Sequence, residues 1–428
     1  MVLNRPVPFK PQAEASADAA GELPRPQGAG LPVPSADLAT RDFKRILLIK
    51  LSAVGDVVQT IPLLNALRRR YPDARLDWLV TPAIAELLAQ HPAISSLIEF
   101  PREQWSAPFS TLLRPALFLA AARLIAKLRA AEYDLVLDLQ GQLRTAVLAF
   151  ATGAPVRIGF DRPRAALWNA SPRKIPAEAK RHAWQGAREG SFLAYTDHIV
   201  LPTLDLHPVE RYLRAAQMLG IEGGAADFSF PIPPEAATRI DALLDYYNLA
   251  KAKLLVIAPG SNWDTKQWRS DAFAEVARHF LQKKFGVILI GSQGERALCE
   301  QVAALAPGAI DLAGETTLPE LAALLRRANL CVSNDSGPMH MAAALERPVI
   351  GIFGPTDPVW AGPYRRADAV LRAEVPCAPC YLRQLSRCPH GHVCMKDVAP
   401  RAVIERAEQI LAAQSARPKA PLPQPGRR

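Results

Sequence analysis

The chain lacks any apolar run of about 18 residues or more, so the sequence offers no helix able to cross a bilayer. Its opening, MVLNRPVPFKPQ, has no apolar core of the kind a secretory leader carries, and the expectation is a cytoplasmic protein. No G-x-G-x-x-G follows the first apolar strand, RILLIK, which argues against a dinucleotide-dependent dehydrogenase. Basic stretches interleaved with aromatics are missing too, so nucleic acid is a poor partner. Acids are the minority charge, 41 against 51 Lys and Arg, and the net +10 favours an anionic partner without naming it. What remains is an ordinary globular composition, 49% hydrophobic over 428 residues, long enough for two cores rather than one.

Short apolar strands alternate with amphipathic helices along most of this chain. In the first half KRILLIKL, ARLDWLV, SLIEF and YDLVLDLQG read as strands; in the second, KLLVIAPGS, FGVILIGS, AIDLAG, LCVSND and PVIGIFG do. Strands that are apolar almost throughout, each followed by a helix, predict parallel sheets covered on both faces. The expected fold is α/β, with two Rossmann-like doubly wound domains facing a central cleft. Gly and Pro interrupt the pattern around IEGGAADFSFPIPPEAATRI, which puts the interdomain connection at residues 221–250, between domains at 43–220 and 251–412. Residues 1–42 and 413–428 are rich in Pro and Ala without periodicity and read as disordered tails.

Open α/β sheets bind ligands at the carboxyl ends of their strands. At such a junction LSAVGDVVQTIP, residues 51–62, sets Gly55-Asp56 between a strand and a helix, where Asp56 either caps the helix or does chemistry. VSNDSGPMHMAAALE repeats the design: Gly337 would let backbone approach closely, Pro338 suits a first helical turn, and exposed N–H groups suit a phosphate. The simpler reading there is a cap by Asp335 or Ser336. APGSNWDTKQWRSDAF carries Lys266 between Trp263 and Trp268, either a counter-charge for a diphosphate or a solvated surface lysine. Glu295, in GSQGERA, either holds ribose hydroxyls or is a first-turn helix acid. GIFGPTDP ends a strand in a turn that needs no ligand.

These stretches, with KLSAVGDVVQTIPLLNALRRRYPDARLDWLV, LAGETTLPELAALL, SNDSGPMHMAAALERPVIGIFGPTDP, and CAPC followed by CPHGHVCM, resemble family 9 glycosyltransferases, the heptosyltransferases of lipopolysaccharide core assembly. The resemblance runs in order over residues 43 to 412. It implies a GT-B fold with the donor mainly on the second domain, and inverting transfer of heptose from ADP-heptose to a lipopolysaccharide inner-core acceptor, without a catalytic metal. It further implies that Asp56 is the catalytic base, that Lys266 meets the donor's diphosphate, and that Asp335, Ser336, Gly337 and His340 form the donor-binding loop and helix start. Glu295 corresponds to the acid near the ribose. Another nucleotide sugar, or a different glycan or protein acceptor, is the alternative within this fold; a nucleotide-binding protein without transfer activity is the alternative outside it.

Residues 101–181 hold 13 Lys or Arg against 6 Asp or Glu. Arg144, Arg162 and Arg164, with Arg173, Lys174 and Arg181, are candidate contacts for an anionic acceptor, a generic basic surface being the plainer account. LLRPALFLAAARLIAKLRAA, with Arg114, Arg123, Lys127 and Arg129, either rests on the inner-membrane surface or packs on its sheet. Cys299 and Cys331 sit in apolar stretches as small core residues. Cys377, Cys380, Cys388 and Cys394 are spaced C-x2-C-x7-C-x5-C with His390 and His392 among them, which in a reducing compartment favours a structural zinc or iron over disulfides.

Overall fold

The computed structural model describes residues 36–100, 115–162, 186–203 and 205–416, and arranges their strands as two six-stranded parallel sheets. The first joins β1 (Arg45–Ile49), β2 (Arg75–Val80), β3 (Ser96–Glu99), β4 (Leu135–Asp138), β5 (Val156–Phe160) and β6 (Asp197–Ile199) in the order β3-β2-β1-β4-β5-β6. The second joins β7 (Leu254–Ala258), β8 (Gly286–Leu289), β9 (Ile310–Asp311), β10 (Leu330–Asn334), β11 (Val349–Phe353) and β12 (Val370–Arg372) in the order β12-β11-β10-β7-β8-β9. Counted from its own first strand, each sheet has the same order, which reverses direction between β1 and β4 and between β7 and β10. Such a reversal opens a crevice at the strands' carboxyl ends. Ile49 stands opposite Asp138 and Ala258 opposite Ser333, so the loops that follow leave each sheet level with one another.

The central strands are buried because helices cover both faces: β4, β7, β10 and β11 expose no residue appreciably. Helix α1 spans Ala36–Thr40, α2 Val54–Val58, α3 Ile61–Arg70, α4 Pro115–Ala130 and α5 Leu143–Ala151. In the second half α6 spans Pro234–Tyr246, α7 Leu318–Arg327, α8 Gly337–Ala344 and α9 Pro400–Ala416. The sequence accounts for their ends and faces. α3 starts on Pro62, buries Ile61, Leu63, Leu64 and Leu67, and sets Arg68, Arg69 and Arg70 at the negative end of its dipole. α7 starts on a reciprocal pair in which Thr317 accepts from the Glu320 N–H and Glu320 accepts from that of Thr317.

All nine expected strands form. Three more do as well, β5, β6 and β12, whose segments VRIGF, DHI and VLR are short and mixed in polarity. Three boundaries move. α1 lies inside the expected tail, because Leu38 is 3% exposed in the first core and the Ala39 carbonyl accepts from Arg70. α6 lies inside the expected connection, because Ile240 and Leu244 belong to the second core. The connection is thereby reduced to residues 221–233, where Asn65 Nδ2 donates to the Asp227 and Ser229 carbonyls at 2.9 and 3.0 Å. α9 runs past residue 412. Both sheets fall within one unit, residues 34–428.

Candidate active site

The carboxyl ends of β1, β7, β8 and β10, with the starts of α2 and α8, enclose a cleft of about 720 Å³. Asp56, Lys266, Glu295, Asp335, Ser336, Gly337 and His340 all line it. Asp56 sits in the first turn of α2, where its Oδ2 accepts from the Ala53 N–H at 3.3 Å and lies 3.6 Å from Lys50 Nζ. The capping role is therefore real, yet 38% of the side chain stays exposed. Lys50 is buried beneath it, donates to the Leu139 carbonyl at 3.3 Å and lies 5.1 Å from the Tyr212 ring centre. Burial alone would depress this ammonium, but Asp56, Tyr212 and Asp138 outweigh it and hold its pKa above the usual lysine value. Lys50 carries a single signal in the sequence, a lysine closing an otherwise apolar strand, RILLIK, and is not among the residues expected at the site.

Gly55 answers a packing need rather than a turn. It lies inside α2 with no positive φ, and a Cβ there would come within 2.5 Å of His340 Cδ2. His340, at the start of α8, accepts at Nδ1 from Gln59 Nε2 at 3.0 Å, so it joins the two halves as well as lining the cleft. Burial depresses its pKa, against the pull of Asp335 and Asp56.

Lys266 ends a short turn, Asp264–Lys266, and is not a solvated surface group. Its side chain is 14% exposed, with Nζ 2.7 Å from Asp335 Oδ2 and 4.3 Å from the Trp263 ring centre. Asp335 Oδ2 also accepts from Thr356 Oγ1 at 2.6 Å. Ser336 makes no side-chain cap and bonds Ser333 Oγ instead, at 2.9 Å. The start of α8 thus faces the cleft beside a fixed, largely buried ammonium, an arrangement suited to phosphate oxygens. Glu295 does what a first-turn acid does: its Oε2 accepts from the Ser292 N–H and Oγ–H at 2.7 and 2.8 Å. Its Oε1 lies against Gly260, where a Cβ would come within 2.0 Å.

The candidate acceptor arginines are not gathered here. Arg144 is exposed on α5 and Arg162 is exposed past β5, its N–H donating to Asp161 Oδ1 at 2.8 Å; neither lines the cleft. Arg164, Arg173, Lys174 and Arg181 lie outside the described residues, as does Arg114. Other arginines stand nearer. Arg188 has its pKa depressed, by burial first and then by the like charge of Arg383, with Asp56 pulling the other way. Arg383 lies 4.9 Å from the Trp263 ring centre. These two come from different halves and from loops without periodic pattern, so nothing local in the sequence marked them. α4 packs Leu124, Ile125 and Leu128 on the first sheet and leaves Arg123, Lys127 and Arg129 exposed.

Cys299 and Cys331 are buried, and burial pushes each thiol up to about 12, as suits inert core residues. The other four cysteines are neighbours: burial and then Cys380, Cys377 and Cys388 push Cys394 up to about 11. Even so, among the described residues no group of three or more His, Cys, Asp or Glu is arranged to hold a metal ion. The residues as placed do not fit the expected zinc or iron. His392 is turned away, donating from Nε2 to the Thr265 carbonyl at 2.6 Å. The loop makes other contacts instead, to Thr265 beside Lys266 and to Pro355. Leu382 accepts from Thr265 Oγ1, and the Cys380 and Tyr381 N–H groups donate to the Pro355 carbonyl at 3.0 and 2.8 Å.

Comparison with known proteins agrees with this geometry. Residues 121–186 and 172–389 match the family described as glycosyltransferase family 9 (heptosyltransferase). The chain is 32% identical over 341 residues to lipopolysaccharide heptosyltransferase 1 of Pseudomonas aeruginosa, covering 78% of this chain and 86% of that protein. Against lipopolysaccharide heptosyltransferase 2 of Salmonella typhimurium it is 26% identical over 382 residues, covering 86% and 99%. Among solved structures, a family 9 glycosyltransferase from Veillonella parvula aligns with a TM-score of 0.67 at 21% identity, covering 88% of this chain and 100% of that one. The E. coli heptosyltransferase WaaC with ADP aligns at 0.63 and 24% identity, covering 86% and 99%. The shared fold is GT-B, the one the resemblance implied, and by sequence and architecture together the chain belongs to glycosyltransferase family 9.

Proposed function

We propose that this glycosyltransferase moves heptose from ADP-heptose to a lipopolysaccharide inner-core hydroxyl, with inversion, at the cytoplasmic face of the inner membrane. The observation that carries the reading is a single cleft holding a carboxylate backed by a buried lysine and, from the other half, a buried Lys266–Asp335 pair beside the start of α8. In the proposed step the acceptor oxygen attacks the anomeric carbon from the face opposite ADP. The new C–O bond forms as the bond to the diphosphate breaks; the proton passes to Asp56 and the electron pair leaves with ADP. A positioned carboxylate contributes about 10²–10⁴ in rate. The charge that develops on ADP meets Lys266 and the helix start, groups already oriented before the reaction. Asp335 keeps that lysine in place. Arg188 and Arg383, like charges from opposite halves, are suited to the acids or phosphates of the acceptor, with Arg144, Arg162 and Arg164 along its approach. The printed names of the relatives, lipopolysaccharide heptosyltransferases, and the ADP complex of the E. coli enzyme support the choice of donor and acceptor.

A donor panel tests the reading. Purified protein is given heptose-deficient inner-core lipopolysaccharide with ADP-heptose, ADP-glucose or UDP-glucose, and products are weighed by mass spectrometry. The expected result is a one-heptose increment with ADP-heptose alone. Rapid consumption of another nucleotide sugar would move the assignment to that donor, and binding of ADP without any transfer would leave only a nucleotide-binding protein.

A further inference from the structure

α5 turns an apolar face to solvent. Leu143, Val147 and Phe150, spaced for one side of a helix, are 50, 51 and 65% exposed, while Ala146, Leu148 and Ala149 are buried beneath. Leu193, 80% exposed, extends this face from the turn Ser191–Ala194, which packs on α5; Leu119, 49% exposed, lies on α4, which packs on α5 as well. Five of the ten large apolar side chains exposed among the described residues therefore stand on these three adjoining elements. A scattered exposed leucine is ordinary, but such a concentration marks an interaction surface.

Cations surround it. Arg144 is exposed on α5 itself, and Arg123, Lys127 and Arg129 on α4. The Arg157 guanidinium lies 5.5 Å from the Phe150 ring centre, donating to the Ala194 and Ala154 carbonyls. Among the described residues of this face an exposed acid, Glu189, accepts from the Leu143 N–H at the helix start. A second copy of the chain laid on this face by a two-fold axis would bring like charges together, which disfavours self-association. A bilayer with anionic headgroups satisfies both features: leucine, valine and phenylalanine enter the acyl boundary while arginine and lysine meet lipid phosphates. α5 also follows β4, whose neighbouring Leu139 carbonyl holds Lys50 beneath Asp56, so the face and the base share one sheet edge.

We propose that α5, with Leu193 and the exposed side of α4, is the surface by which this enzyme docks on an anionic bilayer. The purpose of docking rests on the lipid-linked acceptor proposed above; the docking itself does not. The test is sedimentation of the full chain with vesicles of phosphatidylethanolamine and phosphatidylglycerol at three to one, compared with phosphatidylcholine alone. Wild type should sediment with the anionic vesicles, and added salt should weaken it. Val147→Asp with Phe150→Asp should lower partitioning at least about tenfold, since two apolar side chains leave the boundary. Its melting curve and its turnover of a delipidated oligosaccharide acceptor should match wild type, because both positions are exposed and outside the cleft. Failure of wild type to bind the anionic vesicles, or equal binding by the double variant, overturns the proposal. A dimer in light scattering that the substitutions abolish would give the face to a second copy and overturns it too. Vesicle binding without use of ADP-heptose would remove only the functional reading.

Discussion

The two strand–helix junctions, residues 51–60 and 333–344, are built alike and used differently. Each closes an apolar strand, sets an aspartate beside a glycine, and begins a helix. At the first, Asp56 keeps 38% of its side chain exposed, and its lysine stands 3.6 Å behind it. At the second, Asp335 keeps 6% and is committed to Lys266 at 2.7 Å and to the Thr356 hydroxyl. One carboxylate is held yet open to a proton; the other is consumed in fixing a cation. The glycines follow the same division of labour between packed surfaces, Gly55 admitting His340 and Gly337 admitting Val54, whose Cβ a methyl group would approach to 3.2 Å. Chain pattern therefore chose where these acids stand, and burial and partners chose what they do.

The largest expected effect breaks that comparison at the first acid. Asp56→Asn keeps an acceptor for the Ala53 N–H but removes the base, so turnover should fall by about 10²–10⁴. ADP affinity by calorimetry should hardly move, and an equal loss of affinity would erase the distinction between the junctions. At the second, Lys266→Met should weaken ADP binding by roughly 10- to 100-fold, the scale of a charge-assisted hydrogen bond. Because the substitution strands a buried carboxylate, adding Asp335→Asn should restore part of the lost stability.

Gly55→Ala comes next. The methyl group would meet His340, and overpacking of about 1–3 kcal/mol should push α8 from α2 and lower kcat/KM by roughly 5- to 100-fold. His340→Ala in the same chain makes room, so the double variant should outperform Gly55→Ala. A harmless single substitution would show that the close approach is dispensable.

Acid should loosen the contacts that join the halves before it touches the sheets. His207 donates from Nε2 to the Gly362 carbonyl at 2.9 Å and accepts the Val209 N–H at Nδ1, and burial pushes its pKa down from 6.5 to about 4. The unfolded chain takes up this proton near pH 6.5 and the folded chain only near 4, so stability is complete above that window and lost as pH falls through it. The full loss is roughly 3 kcal/mol at about 1.4 kcal/mol per pH decade. His340 and His91, whose pKa values burial also lowers, act in the same direction. Melting temperatures should hold from pH 7.5 to about 6.5 and fall from there to 5, and His207→Gln should flatten that fall.

Nine of the strands and the two strand–helix junctions were legible because their signals are local: apolar runs, a glycine and an acid at a strand end, a proline in a first turn. The roles of Lys266, Glu295 and His340, by contrast, came from the family resemblance. What was not legible is partnership. Lys50 looked like the end of a strand, and only the fold brings it under Asp56, with Tyr212 beside it. Lys266, taken by its neighbours in sequence alone, left a surface lysine open beside a diphosphate contact, because Asp335 lies far along the chain. Glu295 was ambiguous for the opposite reason, since its capping partner Ser292 is local and explains it without a ligand. The cysteine spacing suggested a metal, yet spacing alone does not set three of those side chains around one point.

That loop supplies the smallest effect and the finest division between the junctions. Thr265 precedes Lys266, its hydroxyl donating to the Leu382 carbonyl and its own carbonyl accepting from His392 at 2.6 Å. Thr60, four residues past Asp56, donates its hydroxyl to the Asp56 carbonyl at 2.8 Å. Valine at either position keeps the shape and removes one neutral hydrogen bond, worth about 0.5–1.5 kcal/mol. If the second junction positions the donor, Thr265→Val should raise the donor KM by about two- to tenfold with kcat and acceptor KM little changed. If the first positions the base, Thr60→Val should lower kcat by a similar factor and leave the donor KM alone. Donor binding responding to Thr60, or turnover responding to Thr265, would mean that the two junctions act as one unit and that their separate burial does not separate their work.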